Sequence, residues 1–337
     1  MKKVICWLTF LAVPLAAHSQ SRHGSESRFE NLPTRGVIAN GAAETSGKVR
    51  VQCGNPRAKV HTIADGLKRI GGVGPAVLLI SGICEENVAI VSLDRITLQG
   101  DPTATIDGGG DSNVGTVEIA DSQSVVLSNL TITGGGEGVG CFGQSLCRLN
   151  QVTIQNSLGD GAAVGPRAHL QISDSILQNN ADVGLSVGAG SANLFGGSIT
   201  GNAADGVFMS AGGFLGLAGG NLLPNVTISN NAGNGITAQL HNSIAGNSAN
   251  ISGNAGDGIS LQGGSSLQIA ASRVRDNGGH QIRIGDLSFV RFGGFGNTVT
   301  GANSPDVVCD PAFSATRNFA NLLGTTTNCP AELPAAP

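Results

Sequence analysis

Aligned on a recurring N-x-x-x-G, the chain shows apolar residues in fixed columns. The marker glycines are Gly161, Gly184, Gly206, Gly235 and Gly258, with Gln281 in sixth place, at spacings of 23, 22, 29, 23 and 23. Seven residues before each marker stand Ile154, Leu177, Ile199, Ile228, Ile251 and Val274. One residue after it stand Ala162, Leu185, Val207, Ile236, Ile259 and Ile282, and three after it Val164, Val187, Met209, Ala238, Leu261 and Ile284. A further column reads Leu149, Ile172, Leu194, Leu223, Gly246 and Ile269. Apolar residues at i and i+2 between polar turns are the pattern of short strands. A fixed period in this range predicts a solenoid, because one rung alone has nothing to bury its inward residues against. A helical repeat is the rival, but each helix-interior glycine would cost about 1 kcal/mol.

Between the apolar columns lies turn chemistry. Asp205-Gly206, Asn234-Gly235 and Asp257-Gly258 are expected where the chain bends with positive φ. Four residues before the markers stand Ser157, Asn180, Asn202, Asn231, Asn254 and Asn277. Stacked about 4.8 Å apart, these amides predict a ladder in which each bonds to the rungs above and below.

The segments "ITGNAADGV", "ISNNAGNGI" and "ISGNAGDGI" resemble the right-handed parallel β-helix repeats of the pectate-lyase-like superfamily. The clear repeat covers about residues 124–300. The resemblance implies an all-β right-handed parallel β-helix solenoid. It leaves activity open, because this superfamily holds lyases, hydrolases, epimerases, phage spikes and noncatalytic surface proteins.

The ends are read differently. Lys2 and Lys3 precede the apolar run Val4 to Ala17, and small residues follow, so residues 1–19 read as an export signal. Residues 20–47 have no period and read as a disordered leader, ahead of a coil over 48–302 and a C-terminal cap and tail over 303–337. "HTIADGLKRI", His61 to Ile70, spaces Ile63, Leu67 and Ile70 as a short helix. Such a helix would plug the N-terminal end of the coil, as the resemblance also implies. Between Gly206 and Gly235 one rung is six or seven residues longer than its neighbours. The excess is placed in "GGFLGLAGGNLLPN", where Phe214, Leu215 and Leu217 would fold back over a rung or form a ligand or partner patch. No later stretch is long and apolar enough to span a membrane.

Composition narrows the chemistry. Without residues 1–19 the chain has 17 basic and 23 acidic residues, a net charge of −6, which argues against a nucleic-acid partner. Six cysteines remain, an even count that suits disulfides in a secreted or periplasmic protein. Nearness in sequence favours Cys53–Cys84, Cys141–Cys147 and Cys309–Cys329, although other connectivities are open. The only Trp is Trp7 and there is no Tyr, so Phe is the only large aromatic available to stack on a sugar.

Candidate catalysts are few. No Lys or Arg lies between Arg167 and Arg273, so the middle rungs lack the base and charge neutralisation that polysaccharide lyases of this fold need. The motifs of polygalacturonase-type hydrolases and the Asp-Pro-His-Asp signature of alginate epimerases are absent. Asp205 and Asp257 share one column two rungs apart, on the order of 10 Å, at the outer limit for a hydrolytic carboxylate pair. Arg273, Arg275, Asp276, His280, Arg283, Asp286 and Arg291 form the densest polar set. Within it Asp257 and His280 are vertical neighbours expected to pair, and His280 and Arg283 could take an acidic ligand. Asp107, Asp111, Glu118 and Asp121 admit calcium, and Asp-Gly and Asp-Ser turns explain them equally. No other cofactor is indicated. The reading this favours is an exported binding or structural surface module for an extracellular glycan or surface protein. The alternative is a polysaccharide-modifying lyase, hydrolase or epimerase.

Overall fold

The computed structural model describes residues 47–71, 74–219, 225–293, 296–310, 315–317 and 325–329. The expected signal, most of the leader and the last residues of the tail lie outside the described residues.

The described chain winds as a parallel β-solenoid whose rungs contribute strands to three faces. The first face is a ten-stranded parallel sheet running from Val88–Val91 to Val307–Cys309. The second face carries longer strands such as His169–Ser173, Ser191–Phe195 and Phe214–Ala218. The third carries three-residue strands such as Ile176–Gln178, Ser198–Thr200 and Thr227–Ser229. All registers between neighbouring rungs are parallel. Leu185 pairs with Val207, Val207 with Ile236, Ile236 with Ile259 and Ile259 with Ile282, and all are fully buried. Ile154, Leu177, Ile199, Ile228, Ile251 and Val274 stack likewise behind the third face. Each such side chain contributes about 1.5–3 kcal/mol by leaving water, and only when the next rung is present.

One column differs from expectation. Leu194 pairs with Leu217, not Leu223, and Leu217 with Gly246. Phe214–Ala218 is therefore a regular strand and no fold-back loop: Leu215 and Leu217 are 0% and 2% exposed in the core. The extra residues come after the strand. Eight residues join Ala218 to Thr227, where two join Phe195 to Ser198. Alternation sets the outcome: Leu215 and Leu217 have the i, i+2 spacing of an inward strand.

The asparagine ladder forms as the repeat predicts. Asn180, Asn202, Asn231, Asn254 and Asn277 are buried. Each Oδ1 accepts from the preceding rung's backbone N at 3.1 Å. From Asn202 onward it also accepts the preceding Nδ2 at 2.9 Å. Each Nδ2 of Asn202 to Asn277 also donates to a main-chain carbonyl, for example Asn231 to Ile199 O at 3.2 Å. Buried polar groups in a dry core need such satisfaction. Gln281 ends the ladder, its Oε1 accepting from Asn277 N at 3.2 Å and Nδ2 at 2.8 Å.

The marker glycines are required for a reason other than positive φ. Neither Gly206, Gly235 and Gly258 nor the residues before them lie in the left-handed region. That conformation falls instead on the residue before each ladder position: Asn156, Asn179, Gly201, Asn230, Gly253 and Asp276. At the markers the constraint is space. A Cβ on Gly235 would lie 2.5 Å from Gly258 O, 2.6 Å from Ile251 Cγ2 and 2.9 Å from Asn254 Nδ2. At the sixth marker position a side chain returns, and Gln281 supplies the ladder's last amide.

Further elements join the coil near both ends of the described residues. The helix Ile63–Arg69 starts at Thr62, whose Oγ1 accepts from Asp65 N at 3.1 Å. The Glu86 carboxylate accepts from Ile63 N at 2.6 Å and Ala64 N at 3.1 Å, satisfying two more N–H groups of the first turn. Ile63 is fully buried, and a Cβ on Gly66 would come within 2.7 Å of Leu78 Cδ2, so the helix rests directly on the first rungs. Cys53–Cys84 ties the same region together. Cys141–Cys147 bridges the first face to the second, and Cys309–Cys329 holds residues 325–329 against the last strand of the first face. There Asp306 Oδ2 accepts from Thr326 N at 2.9 Å and Oγ1 at 2.8 Å.

Candidate functional site

The winding separates residues that the sequence groups together. Arg273 and Arg275 point outward from the third face, Arg291 from the second, and His280 and Arg283 belong to the first. The expected polar cluster is thus spread over three faces, because one rung turns the chain right round the core. Arg275 Nη1 donates to Asp276 Oδ2 at 2.9 Å.

The expected Asp257–His280 side-chain pair is replaced by another. Asp257 Oδ2 accepts from Arg283 Nε at 2.6 Å, and Oδ1 from Arg283 Nη2 at 3.4 Å. His280 meets Asp257 through its backbone N, at 2.7 Å from Oδ1, while its ring Nδ1 donates to Pro305 O at 2.7 Å. The Asp257 side chain is 11% exposed and that of Arg283 34%, so the carboxylate is largely desolvated while the guanidinium keeps part of its hydration.

Asp205 occupies the equivalent corner two rungs earlier. Its Oδ1 accepts from Asn234 N at 2.6 Å. Burial pushes its carboxyl above the ordinary carboxylate range, against hydrogen bonds from Thr237 and Asn234, and the nearby charge of Asp182 adds to the rise. Asn234 Oδ1 in turn accepts from Asp257 N at 2.6 Å. The corner acids therefore link successive rungs through their backbone N–H groups.

Of the four acids weighed for calcium, three are engaged in local turns and Asp121 in a contact to the next rung. Asp107 Oδ1 accepts from Gly109 N, Asp111 Oδ1 from Asn113 N, Glu118 Oε1 from Gly115 N and Asp121 Oδ1 from Gln144 N, at 2.9–3.2 Å. Among the described residues, three metal-capable groups converge within 4.8 Å at Cys53, Cys84 and Glu86. There the sulfurs form a disulfide and the carboxylate caps the helix, so that set does not suit an ion.

The outer side of the ten-stranded face has its own layout. One outward column runs Glu118, Gly140, Ala163, Ser186, Phe208, Thr237, Ser260 and Arg283. Alongside it run Phe142, Gly165, Gly188 and Ser210. Between Phe142 and Phe208, three rungs or about 14 Å apart, every outward residue is Gly, Ala or Ser. Phe142 lies across this floor. A Cβ on Gly140 would meet its Cε2 at 2.3 Å, and one on Gly165 its Cδ1 at 2.8 Å. The ring is half-buried and rests along the sheet, which two glycines permit. Asp182 and Asp205 stand at the corner leading into the strands of Ser186 and Phe208.

Phe142, Gly140, Gly165 and Asp182 are absent from the sequence-based candidates. The signal available was a Phe at an outward register with Gly two residues before and 23 after it. Of the apolar candidates, Phe214 is exposed on the second face, while Leu215 and Leu217 are beyond reach of a surface ligand.

The family model for the right-handed beta helix region matches residues 85–222 and 160–320, more than half of the chain, and the protein belongs to that family. No curated protein matches the sequence. Among solved structures, the A-module of the Azotobacter vinelandii mannuronan C-5 epimerase AlgE6 aligns with a TM-score of 0.57 at 14% identity, covering 85% of this chain and 90% of that one. The A-module of AlgE4 from the same organism aligns at 0.53 and 14% identity, covering 78% and 90%. The pectate lyase Pel9A aligns at 0.39 and 11% identity, covering 84% and 78%. These likenesses concern the fold. Among the described residues no helix is long and apolar enough to cross a membrane.

Proposed function

We propose that this protein is an exported glycan-binding module that holds a polysaccharide chain along the outer side of its ten-stranded sheet. The observation that carries this reading is Phe142, whose ring rests on Gly140 and Gly165 in a shallow floor of minimal side chains. An aromatic ring fixed along a surface offers a sugar a stacking face at little entropic cost. Three disulfides support a location outside the cytoplasm, secreted or periplasmic. The modules of similar fold are named for mannuronan, which agrees with a polysaccharide partner.

The test is binding to a panel of soluble oligosaccharides by calorimetry. Phe142→Ala should weaken binding by at least tenfold, about 1.4 kcal/mol, while Phe142→Trp should retain it. Equal affinity for all three proteins would remove the platform.

A second reading, chemical modification of the bound chain, is favoured by the raised carboxyl of Asp205 at the edge of the same floor. A carboxyl whose proton affinity is raised by burial is the kind of group that serves as a general acid. Product formation lost in Asp205→Asn at saturating glycan would establish it; no product from any glycan of the panel would end it.

A further inference from the structure

The charges around this floor narrow the ligand, granted the reading that a glycan lies there. The corner acids Asp182 and Asp205 flank the middle rungs, and Glu118 stands at the end of the outward column beyond Gly140. Arg167 stands in the turn two residues beyond Gly165, at the end of the strand away from the corner acids, and from there to Arg273 no Lys or Arg occurs. The one cation in the outward column from Glu118 to Arg283 is Arg283 itself, and its guanidinium is bound to Asp257 by two hydrogen bonds.

We propose that the floor between Phe142 and Phe208 takes an uncharged glycan, whose hydroxyls donate to the carboxylates of Asp182 and Asp205 while one sugar ring stacks on Phe142. A polyuronate would bring a carboxylate with every sugar. Laid along rungs spaced about 4.8 Å apart, it would set these charges against the corner acids with no cation between them. Like charges brought together across an interface oppose binding. A neutral sugar presents hydroxyl donors, and an ionised carboxylate is a strong acceptor for them. The rise in the Asp205 carboxyl accords with this setting, since burial and the Asp182 charge drive it without a compensating cation. The small residues at Ser186 and Gly188 leave room for a sugar ring against the sheet, a Cβ on Gly188 meeting nothing closer than 3.8 Å, and Phe208 bounds the floor at its far end.

The experiment is titration of the full chain with two matched sets. One set is neutral: cellohexaose, xylohexaose and laminarihexaose. The other is acidic: hexamannuronate and hexagalacturonate, each with calcium and with a chelator. The expected result is binding of at least one neutral hexamer at least tenfold tighter than either acidic one, unchanged by salt. Asp182→Asn and Asp205→Asn should each weaken it by about tenfold, with circular dichroism and melting confirming the fold. Tighter binding of an acidic hexamer, with or without calcium, overturns the proposal. So does neutral binding untouched by both substitutions. Binding of neither set removes the glycan reading and this inference with it, whereas acidic binding lost in Phe142→Ala would keep the platform and reject only the ligand class.

Discussion

Asn231 Oδ1 receives two hydrogen bonds from Asn202, one from the backbone N at 3.1 Å and one from Nδ2 at 2.9 Å. The same two-fold contact repeats to Asn254 and Asn277. A buried amide that serves its neighbour and is served by the next makes each rung depend on the one after it.

Asn231→Ala should therefore destabilise the coil well beyond an ordinary surface change. It leaves the Asn202 N–H without a partner in the core, and it takes one of two hydrogen bonds from Asn202 Nδ2, which keeps Leu177 O, and one of two from Asn254 Oδ1, which keeps the backbone N of residue 231. At about 1–3 kcal/mol for a buried polar group left unpaired and about 0.5–1.5 kcal/mol for each further hydrogen bond lost, the loss should exceed about 2 kcal/mol in urea unfolding. A loss under about 0.5 kcal/mol would show that water or rearrangement satisfies the ladder.

Gly235→Ala separates crowding from turn conformation. Gly235 has no positive φ, so a conformational role would leave alanine tolerated or slightly stabilising. The contacts of 2.5–2.9 Å instead require the neighbouring rung to move, a strain of about 1–3 kcal/mol. A fall in the urea midpoint supports crowding, and a rise would reject it.

Asp257→Asn should cost about 1–2 kcal/mol, at the low end of the range for hydrogen bonds to charged groups, because it leaves Arg283 facing a neutral amide while its one-third exposed guanidinium keeps some hydration. The double variant with Arg283→Gln should recover part of that loss, since removing both charges is milder than removing one. A double-mutant cycle in urea measures the coupling, and strict additivity would show that the two side chains act independently.

Leu217→Ala and Phe214→Ser test the corrected register on a single strand. Leu217 is buried between Leu194 and Gly246, and its truncation should cost about 2–5 kcal/mol. Phe214 is 37% exposed on the other side of the strand, and its replacement should cost well under 1 kcal/mol. Equal costs would contradict the alternation.

Asp205 gives the fold a pH dependence of defined sign. Its carboxyl titrates higher in the folded chain than in the unfolded one, so its contribution to stability is full below the unfolded value of about 3.9 and is lost as pH rises through the folded value. Asp205→Asn should raise the melting temperature at pH 7 relative to the parent, with the gain shrinking towards pH 4. A loss of melting temperature at pH 7 would indicate that the carboxylate is held by partners stronger than its burial cost.

The period, the apolar files of Ile154 to Val274 and Ala162 to Ile282, the asparagine ladder and the short capping helix were all legible in the sequence. Each depends on which residue recurs at which spacing, and a solenoid repeats its environment as faithfully as the chain repeats its letters. The misplaced Leu223 shows the limit of that rule. An insertion breaks the count, and only strand pairing shows on which side of Leu217 the extra residues fall.

What only the tertiary structure decided is what faces what across a rung. Arg273, His280 and Arg291 are near in sequence, yet they leave the core in three directions, because one turn of the coil separates them. The Asp257–Arg283 pair, the space requirement at Gly235 and the resting place of Phe142 on Gly140 and Gly165 all join side chains to atoms of the same or an adjacent turn. Spacing along the chain determined the column each residue joins. Contacts at the scale of a single methyl group determined where the side chains of each column come to rest.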